Sequence, residues 1–322
     1  MPCWLVRAIK AIETTELTRD FNGVRAVDHI TLEVGNEVVA FLGPNGAGKT
    51  TTMRMLVGAL QPTSGSARIF GYDVVNQGVQ ARQHIGYVPE EQTAYCSDLS
   101  VKAFCRYMAS LKGLAGELLQ REIDDKLQIV RMKHLEKRKV GNLSSGQRQR
   151  VGLAQALIGD PDVIIADEPT ANLDPAGKQE ILALIRTLAQ DTGRAFFVST
   201  HILTEAEKLS DRILILNNGQ IVADKALQAL KQHSATQTFF VNVSDKEGLQ
   251  KSLQDTDWTV ETQKVQGGLE ITTNQPEILF KELPQLIASQ KLSLLMFRPA
   301  KSQLESLFFE LTRDARSQEE SR

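Results

Sequence analysis

Cysteine is scarce in this chain, and its few copies have no spacing that would let them act together. Cys3, Cys96 and Cys105 are odd in number among 322 residues and show neither C-x-x-C nor metal-ligand spacing, which speaks against a disulfide framework or zinc site and for reduced thiols in a cytosolic protein. Long apolar runs are missing too. The longest, such as residues 38–42 and 195–198, fall far short of the roughly 20 residues that cross a bilayer, so no membrane-spanning segment is expected. At the start, Arg7 and Lys10 interrupt Trp4, Leu5, Val6, Ile9 and Ile12. That pattern suits an amphipathic turn or strand lead-in rather than a secretion signal, and no apolar run precedes Cys3 as a lipoprotein signal requires. Excess charge of one sign is also absent: 37 basic against 39 acidic residues leave a net charge of -2, so no overall basic field draws the chain to nucleic acid or anionic lipid. What is present, 42% hydrophobic and 24% charged residues, is an ordinary globular composition with length enough for two domains.

Against that background, Gly43-Pro44-Asn45-Gly46-Ala47-Gly48-Lys49-Thr50-Thr51 fits the phosphate-binding template G-x-x-x-x-G-K-[ST] at every fixed position. Gly46 and Gly48 let the backbone turn tightly, so that successive N–H groups face phosphate oxygens in front of a helix N-terminus. Lys49 brings a mobile charge to the β and γ phosphates, and the Thr50 hydroxyl is an oxygen ligand of the kind Mg²⁺ prefers. Residues 37–42 read as a short buried strand before the loop and residues 51–60 as a helix after it. Upstream, residues 12–34 are strand-like with a turn at Phe21-Asn22-Gly23. The Phe21 ring can stack on a base or pack in the core.

Downstream, residues 67–70 and 85–88 read as strands, and from 98 to 160 helical spacing takes over. Phe104, Tyr107, Met108 and Leu111 share one face, Leu119, Ile123, Leu127 and Val130 another; such a stripe reads as core. The block closes on Leu143-Ser144-Ser145-Gly146-Gln147, where Ser144 resembles an N-cap. Residues 163–168 form an apolar strand that ends in Asp167 and Glu168. In an open parallel sheet that end is where ligands bind, and continued strand geometry would send the two carboxylates to opposite sides. A helix at 176–190 and a strand at 195–198 follow, with His201 just past the strand end and within reach of a γ phosphate. Asn217-Asn218-Gly219 turns a hairpin.

Residues 12–225 resemble the nucleotide-binding subunit of an ATP-binding cassette (ABC) transporter. Gly43 to Thr51 matches the family's Walker A loop, Leu143 to Gln147 its signature motif, residues 163–168 its Walker B strand, Ala171 to Asp174 its D-loop and His201 its switch histidine. The resemblance implies the fold class: an α/β P-loop NTPase cassette with a mixed sheet core, an antiparallel β subdomain and an inserted helical subdomain at about 98–160. It also implies that two cassettes close head to tail over two ATP molecules, a homodimer being expected. Ser144, Gly146 and Gln147 would then serve the partner's nucleotide, Glu168 would be the general base, Thr50 and Asp167 would hold Mg²⁺, and His201 would meet the γ phosphate. Asp174 would couple the sites and Phe21 would stack on adenine. Two positions depart from the common pattern. Ser145 stands where Gly is frequent. Glu90 stands where many members carry a glutamine that touches Mg²⁺ and the water; an acid there can still ligate Mg²⁺, and the run Ile85 to Glu90 resembles the drug-resistance-type exporter branch.

Beyond a linker at 226–235, strands at 238–243, 258–265, 269–272 and 293–297 with helices at 247–253 and 277–289 follow the ferredoxin-like order β-α-β-β-α-β. Leu304, Leu307, Phe308 and Leu311 suggest a last amphipathic helix before a polar tail at 313–322. This domain, 236–312, resembles the accessory domain of such exporter ATPases and carries no catalytic cluster. The expectation is an ATPase at the cytoplasmic face of the membrane, driving a separate permease that exports a drug, lipid or polysaccharide. The alternatives are a soluble cassette acting on ribosome or DNA, and a regulatory cassette with little turnover. No nucleic-acid partner is expected, because the near-neutral charge weakens phosphate-backbone binding.

Overall fold

The structure is a computed structural model that describes residues 10–90, 97–232, 237–254, 256–300 and 308. Cys3, Cys96, Glu91, the lead-in before residue 10, most of the expected last helix (Leu304, Leu307 and Leu311) and the tail 313–322 lie outside the described residues. The chain divides into two compact units, Met1–Leu227 and Gln228–Arg322.

The first unit runs β1 (Ile12–Phe21), β2 (Val24–Val34), β3 (Val38–Leu42), α1 (Lys49–Leu56), β4 (Ser64–Ile69), β5 (Tyr72–Asp73), α2 (Gly78–Gln83), β6 (Ile85–Val88), α3 (Val101–Leu111), α4 (Gly116–Ile129), α5 (Ser145–Leu157), β7 (Val163–Ala166), α6 (Pro175–Thr192), β8 (Ala195–Thr200), α7 (Leu203–Leu209), β9 (Arg212–Asn217) and β10 (Gln220–Ala226). α8 (Leu227–Gln232) follows at the division. A six-stranded sheet has the order β10-β9-β3-β8-β7-β6, parallel except for the β9/β10 hairpin, and an antiparallel sheet has the order β2-β1-β4-β5. Strands covered on both faces read as unbroken apolar runs, and β3 (VVAFL) and β7 (VIIA) are buried throughout. Their alternation still matters. Val38, Ile164, Ala166, Phe196 and Val198 pack with α3 to α6 on one side, while Val39, Phe41, Val163, Ile165 and Phe197 pack with α1 and the antiparallel sheet on the other. Cys105 sits in the first of these cores, where burial pushes its thiol up to about 12; it is a packed apolar side chain and not a reactive one.

Several element ends differ from the sequence expectation, and two of them bear on the site. The helix after the loop runs Lys49–Leu56 instead of 51–60, because Gly58 takes a φ of +74° and its N–H bonds the Met55 carbonyl, closing the helix early. β7 stops at Ala166 instead of continuing to Glu168, whose φ of +42° is left-handed. Strand alternation therefore does not separate Asp167 from Glu168.

The second unit contains β11 (Gln237–Val243), α9 (Lys246–Gln254), β12 (Thr259–Val265), β13 (Gly268–Thr273), α10 (Pro276–Ser289) and β14 (Leu294–Pro299). Its antiparallel sheet has the order β12-β13-β11-β14. Val241 and Ile271 of the strands and Trp258, just before β12, meet Leu249, Leu253, Leu279 and Leu283 of α9 and α10 in a separate core.

Candidate active site

β3, β7 and β8 are parallel neighbours, so their carboxyl ends open on one edge. The loop Gly43 to Gly48 follows β3, Asp167 and Glu168 follow β7, and His201 follows β8. The loop is forced into its turn: Gly48 has a φ of +105°, and a Cβ there would meet the Ala26 carbonyl oxygen at 2.4 Å. Ala47 is buried and its carbonyl accepts from the Gly219 N–H at 3.0 Å, so the β9/β10 hairpin braces the loop from behind. Lys49 is 5% exposed; its Nζ donates to the Gly43 carbonyl at 2.8 Å and the Pro44 carbonyl at 3.0 Å.

The two carboxylates are bound together through one hydroxyl. Ser199 Oγ donates to Asp167 Oδ1 at 2.6 Å and accepts from the Glu168 N–H at 2.8 Å. That bond holds Glu168 in its left-handed conformation, a strain of the kind that surrounding structure must fix. Asp167 is 1% exposed, yet its Oδ2 has no hydrogen-bond partner among the described residues. A buried, bare carboxylate oxygen is costly unless something completes it. Glu168 Oε1 lies 3.4 Å from Lys49 Nζ, and Oε2 lies 2.8 Å from His201 Nδ1.

One cavity is lined by Asn45, Gly46, Gly48, Lys49, Thr50, Thr51, Glu90, Glu168 and His201, together with Ala26, Ala171, Asn172 and Lys178. A second is lined by Ser144, Ser145, Gly146, Gln147 and Asp174, with Arg131, Met132, His134, Arg150, Asn172, Ala176, Gly177 and Glu180. The phosphate-loop residues and the signature residues of one chain thus face different spaces, and Asn172 borders both. In the second cavity the α5 start is self-satisfied. Ser144 Oγ accepts from the Gln147 N–H at 3.3 Å, and Gln147 Oε1 accepts from the Ser144 N–H at 3.1 Å, a reciprocal capping box. Asp174 caps α6 in the same manner, accepting from the Gly177 N–H at 3.0 Å ahead of Pro175. Phe21 borders neither cavity; it is 40% exposed at the end of β1, with the Arg19 guanidinium 4.6 Å from its ring centroid.

Sequence reasoning missed Ala26, Ser199 and Lys178 as site residues. A hydroxyl two places before His201 was a usable signal for Ser199; Ala26 acts through its backbone and leaves none.

The family profile described as ABC transporter matches residues 27–171. The uncharacterized ABC transporter ATP-binding protein YhcH of Bacillus subtilis is 32% identical over 310 residues, which cover 95% of this chain and 97% of YhcH. The chain belongs to the ABC transporter ATP-binding proteins. Its cassette is likewise 37% identical to the bacitracin transport ATP-binding protein BcrA of Bacillus licheniformis over 224 residues, 69% of this chain and 72% of BcrA. Among solved structures, CbiO1 of Clostridium perfringens, part of the ABC transporter complex CbiONQ, superposes with a TM-score of 0.64 at 26% identity, covering 70% of this chain and 91% of that one. As an ABC cassette of the P-loop α/β fold, the chain is an ATP-binding subunit whose ATPase activity is coupled to transport.

Proposed function

We propose that this ABC cassette hydrolyses ATP as a head-to-tail pair and powers export through a separate membrane-spanning subunit. The observation that carries the reading is the Glu168 carboxylate, held between Lys49 Nζ at 3.4 Å and His201 Nδ1 at 2.8 Å at the mouth of the phosphate loop. A carboxylate so placed can accept the proton of a water that attacks the γ phosphorus, with ADP as the leaving group. Lys49 and the loop N–H groups hold the β and γ phosphates, and His201 donates to a γ oxygen and fixes the direction of Glu168. The bare Oδ2 of Asp167 supports an Mg²⁺ ion, reached directly or through water, and the Thr50 hydroxyl and Glu90, both lining the phosphate cavity, would be its other protein oxygens. When bound, the ion offsets phosphate charge.

The two separate spaces support pairing. The helix start of Ser144, Gly146 and Gln147, where the capping box leaves the Ser145 and Gly146 N–H groups for an anion, lines a different cavity from its own phosphate loop, so a second copy would supply the missing wall. The exposed ring of Phe21 supports stacking on adenine, with Arg19 on its other face. The name of BcrA places bacitracin transport among the relatives and supports an exported drug or antibiotic as cargo. The second unit, built around its own apolar core and with no metal-holding group of His, Cys, Asp or Glu among its described residues, is read as an accessory domain for pair support or regulation.

The test is assembly under blocked hydrolysis. Glu168→Gln protein given ATP and Mg²⁺ is expected to sediment as a dimer and to return to monomer when nucleotide is removed; a chain that stays monomeric with ATP bound refutes the pairing. An integral membrane protein is expected to co-purify with the full chain.

A further inference from the structure

One buried acid outside both cavities reaches three segments that carry the site. Glu205 of α7 is 5% exposed. Its Oε2 accepts from Thr170 Oγ1 at 2.6 Å and from Thr200 Oγ1 at 2.9 Å, and its Oε1 accepts from Lys178 Nζ at 3.2 Å. Thr170 lies two residues after Glu168, in a turn where the Ala171 N–H donates to the Glu168 carbonyl at 2.9 Å. Thr200 immediately precedes His201, and its Oγ1 also accepts from the Ile202 N–H at 3.0 Å. Lys178 belongs to the first turn of α6, where its N–H donates to the Asp174 carbonyl at 2.9 Å. That turn has two sides: Lys178 lines the phosphate cavity, whereas Asp174 and Gly177 line the signature cavity.

We infer that Glu205 and Lys178 are positioning residues: together they hold Glu168 and His201 in register with the first turn of α6, and so with the wall on which a partner would close. This rests on the reading above that Glu168 and His201 serve hydrolysis. The chemistry favours such a link over simple filling of space. A carboxylate with three charge-assisted or hydroxyl donors is stiff, because each lost donor leaves buried polarity unmet. Its donors come from positions 170, 178 and 200, which share no secondary-structure element. Displacement of α6 at the signature cavity is thereby transmitted through Lys178 and Glu205 to the residues beside the γ phosphate, while the loop that holds the nucleotide is left alone. The link accordingly acts on turnover and not on affinity.

The test uses purified full chain and Mg-ATP, with kcat and KM measured for Lys178→Met, Lys178→Arg, Glu205→Gln and the Lys178→Met/Glu205→Gln pair. Lys178 is more exposed than Glu205, so its variants are expected to disturb the fold less than Glu205→Gln, and they decide the matter alone if Glu205→Gln does not fold. For both single changes kcat is expected to fall about tenfold with KM moved less than about twofold. Lys178→Arg is expected to stay within about threefold of the parent, and the double change to be no worse than the worse single, as for two ends of one link. A parent-like kcat in Lys178→Met, a KM that rises in step with the loss of kcat, or losses that multiply in the double change would each overturn the inference. Glu168→Gln in the same assay separates the two levels. If it hydrolyses ATP at the parent rate, the underlying reading of the site fails; if it is inactive while Lys178→Met keeps the parent kcat, only the link fails.

Discussion

The two cavities of the cassette are built from opposite materials. The phosphate cavity gathers charge: a nearly buried lysine and a glutamate in left-handed backbone between that lysine and a histidine, with a buried aspartate tied to the glutamate through Ser199. The signature cavity begins on a helix start where the Ser144 and Gln147 side chains each accept from the other's backbone N–H. Unmet polarity marks a place where a ligand completes the structure, whereas a closed capping box marks a rigid surface with spare backbone donors. On the reading proposed above, the difference means that chemistry and closure are housed apart in one chain, so that a single copy would bind and attack a phosphate but lack the lid.

The largest expected effect tests whether the chemistry belongs to the phosphate cavity alone. Glu168→Gln keeps the size of the side chain and its contact to His201 but removes the base, so kcat is expected to fall by at least about a hundredfold, with nucleotide affinity retained in an equilibrium titration. Hydrolysis at nearly the parent rate would move the chemistry elsewhere. Next comes Gly146→Asp in the signature cavity. A Cβ at Gly146 meets nothing within 4 Å, and an acid in the first turn of a helix suits its dipole, so the fold is expected to hold and its melting temperature to stay close to the parent's. A carboxylate facing the partner's phosphates is a like-charge contact worth several kcal/mol, so turnover is expected to fall by about thirtyfold or more. Affinity of the isolated chain for nucleotide should stay within about twofold in the same titration. If affinity collapses too, the two spaces are one site.

Much of this layout was legible beforehand for a physical reason. The loop 43–51, the strand-end acids and His201 are read from local rules: fixed spacing around glycine, an apolar run followed by acids, a histidine after a buried strand. Those rules depend on neighbours a few positions apart. Where legibility failed, the cause lies in contacts between residues distant in sequence. Ser199 matters because its hydroxyl bridges two residues more than thirty positions away, and Ala26 because its carbonyl sits against Gly48. The left-handed turn at Glu168 is held by that same distant hydroxyl, so strand periodicity carried one step too far. In the second unit the strand and helix pattern was readable because apolar alternation and the Gly267-Gly268 turn are local signals.

A smaller effect is expected for Lys49→Ala. Its Nζ donates to the Gly43 and Pro44 carbonyls and stands beside Glu168, so its loss removes both the charge for the phosphates and a brace of the loop. A charge-assisted hydrogen bond contributes a few kcal/mol at most, so nucleotide affinity is expected to weaken roughly tenfold or somewhat more. Isothermal titration with ADP and ATP measures it. The loss should be greater for ATP, whose γ phosphate adds charge near this lysine; equal loss for both would confine its role to the β phosphate.

The smallest expected effect is at Ser145, where glycine is common in the family. Ser145 is the first residue of α5, and the box that caps the helix is made by Ser144 and Gln147, so the Ser145 hydroxyl is not the cap. Its contribution to an anion is its backbone N–H, which glycine also has. Ser145→Gly therefore gives up at most about 0.5–1 kcal/mol of helix stability and leaves the donors in place, so turnover is expected to remain within about twofold of the parent. A tenfold change in either direction, with the melting temperature steady, would mean that the hydroxyl itself touches the partner's nucleotide. The signature cavity would then recognise its ligand through a side chain and not through backbone alone, and the contrast between a charged site and a rigid lid would narrow accordingly.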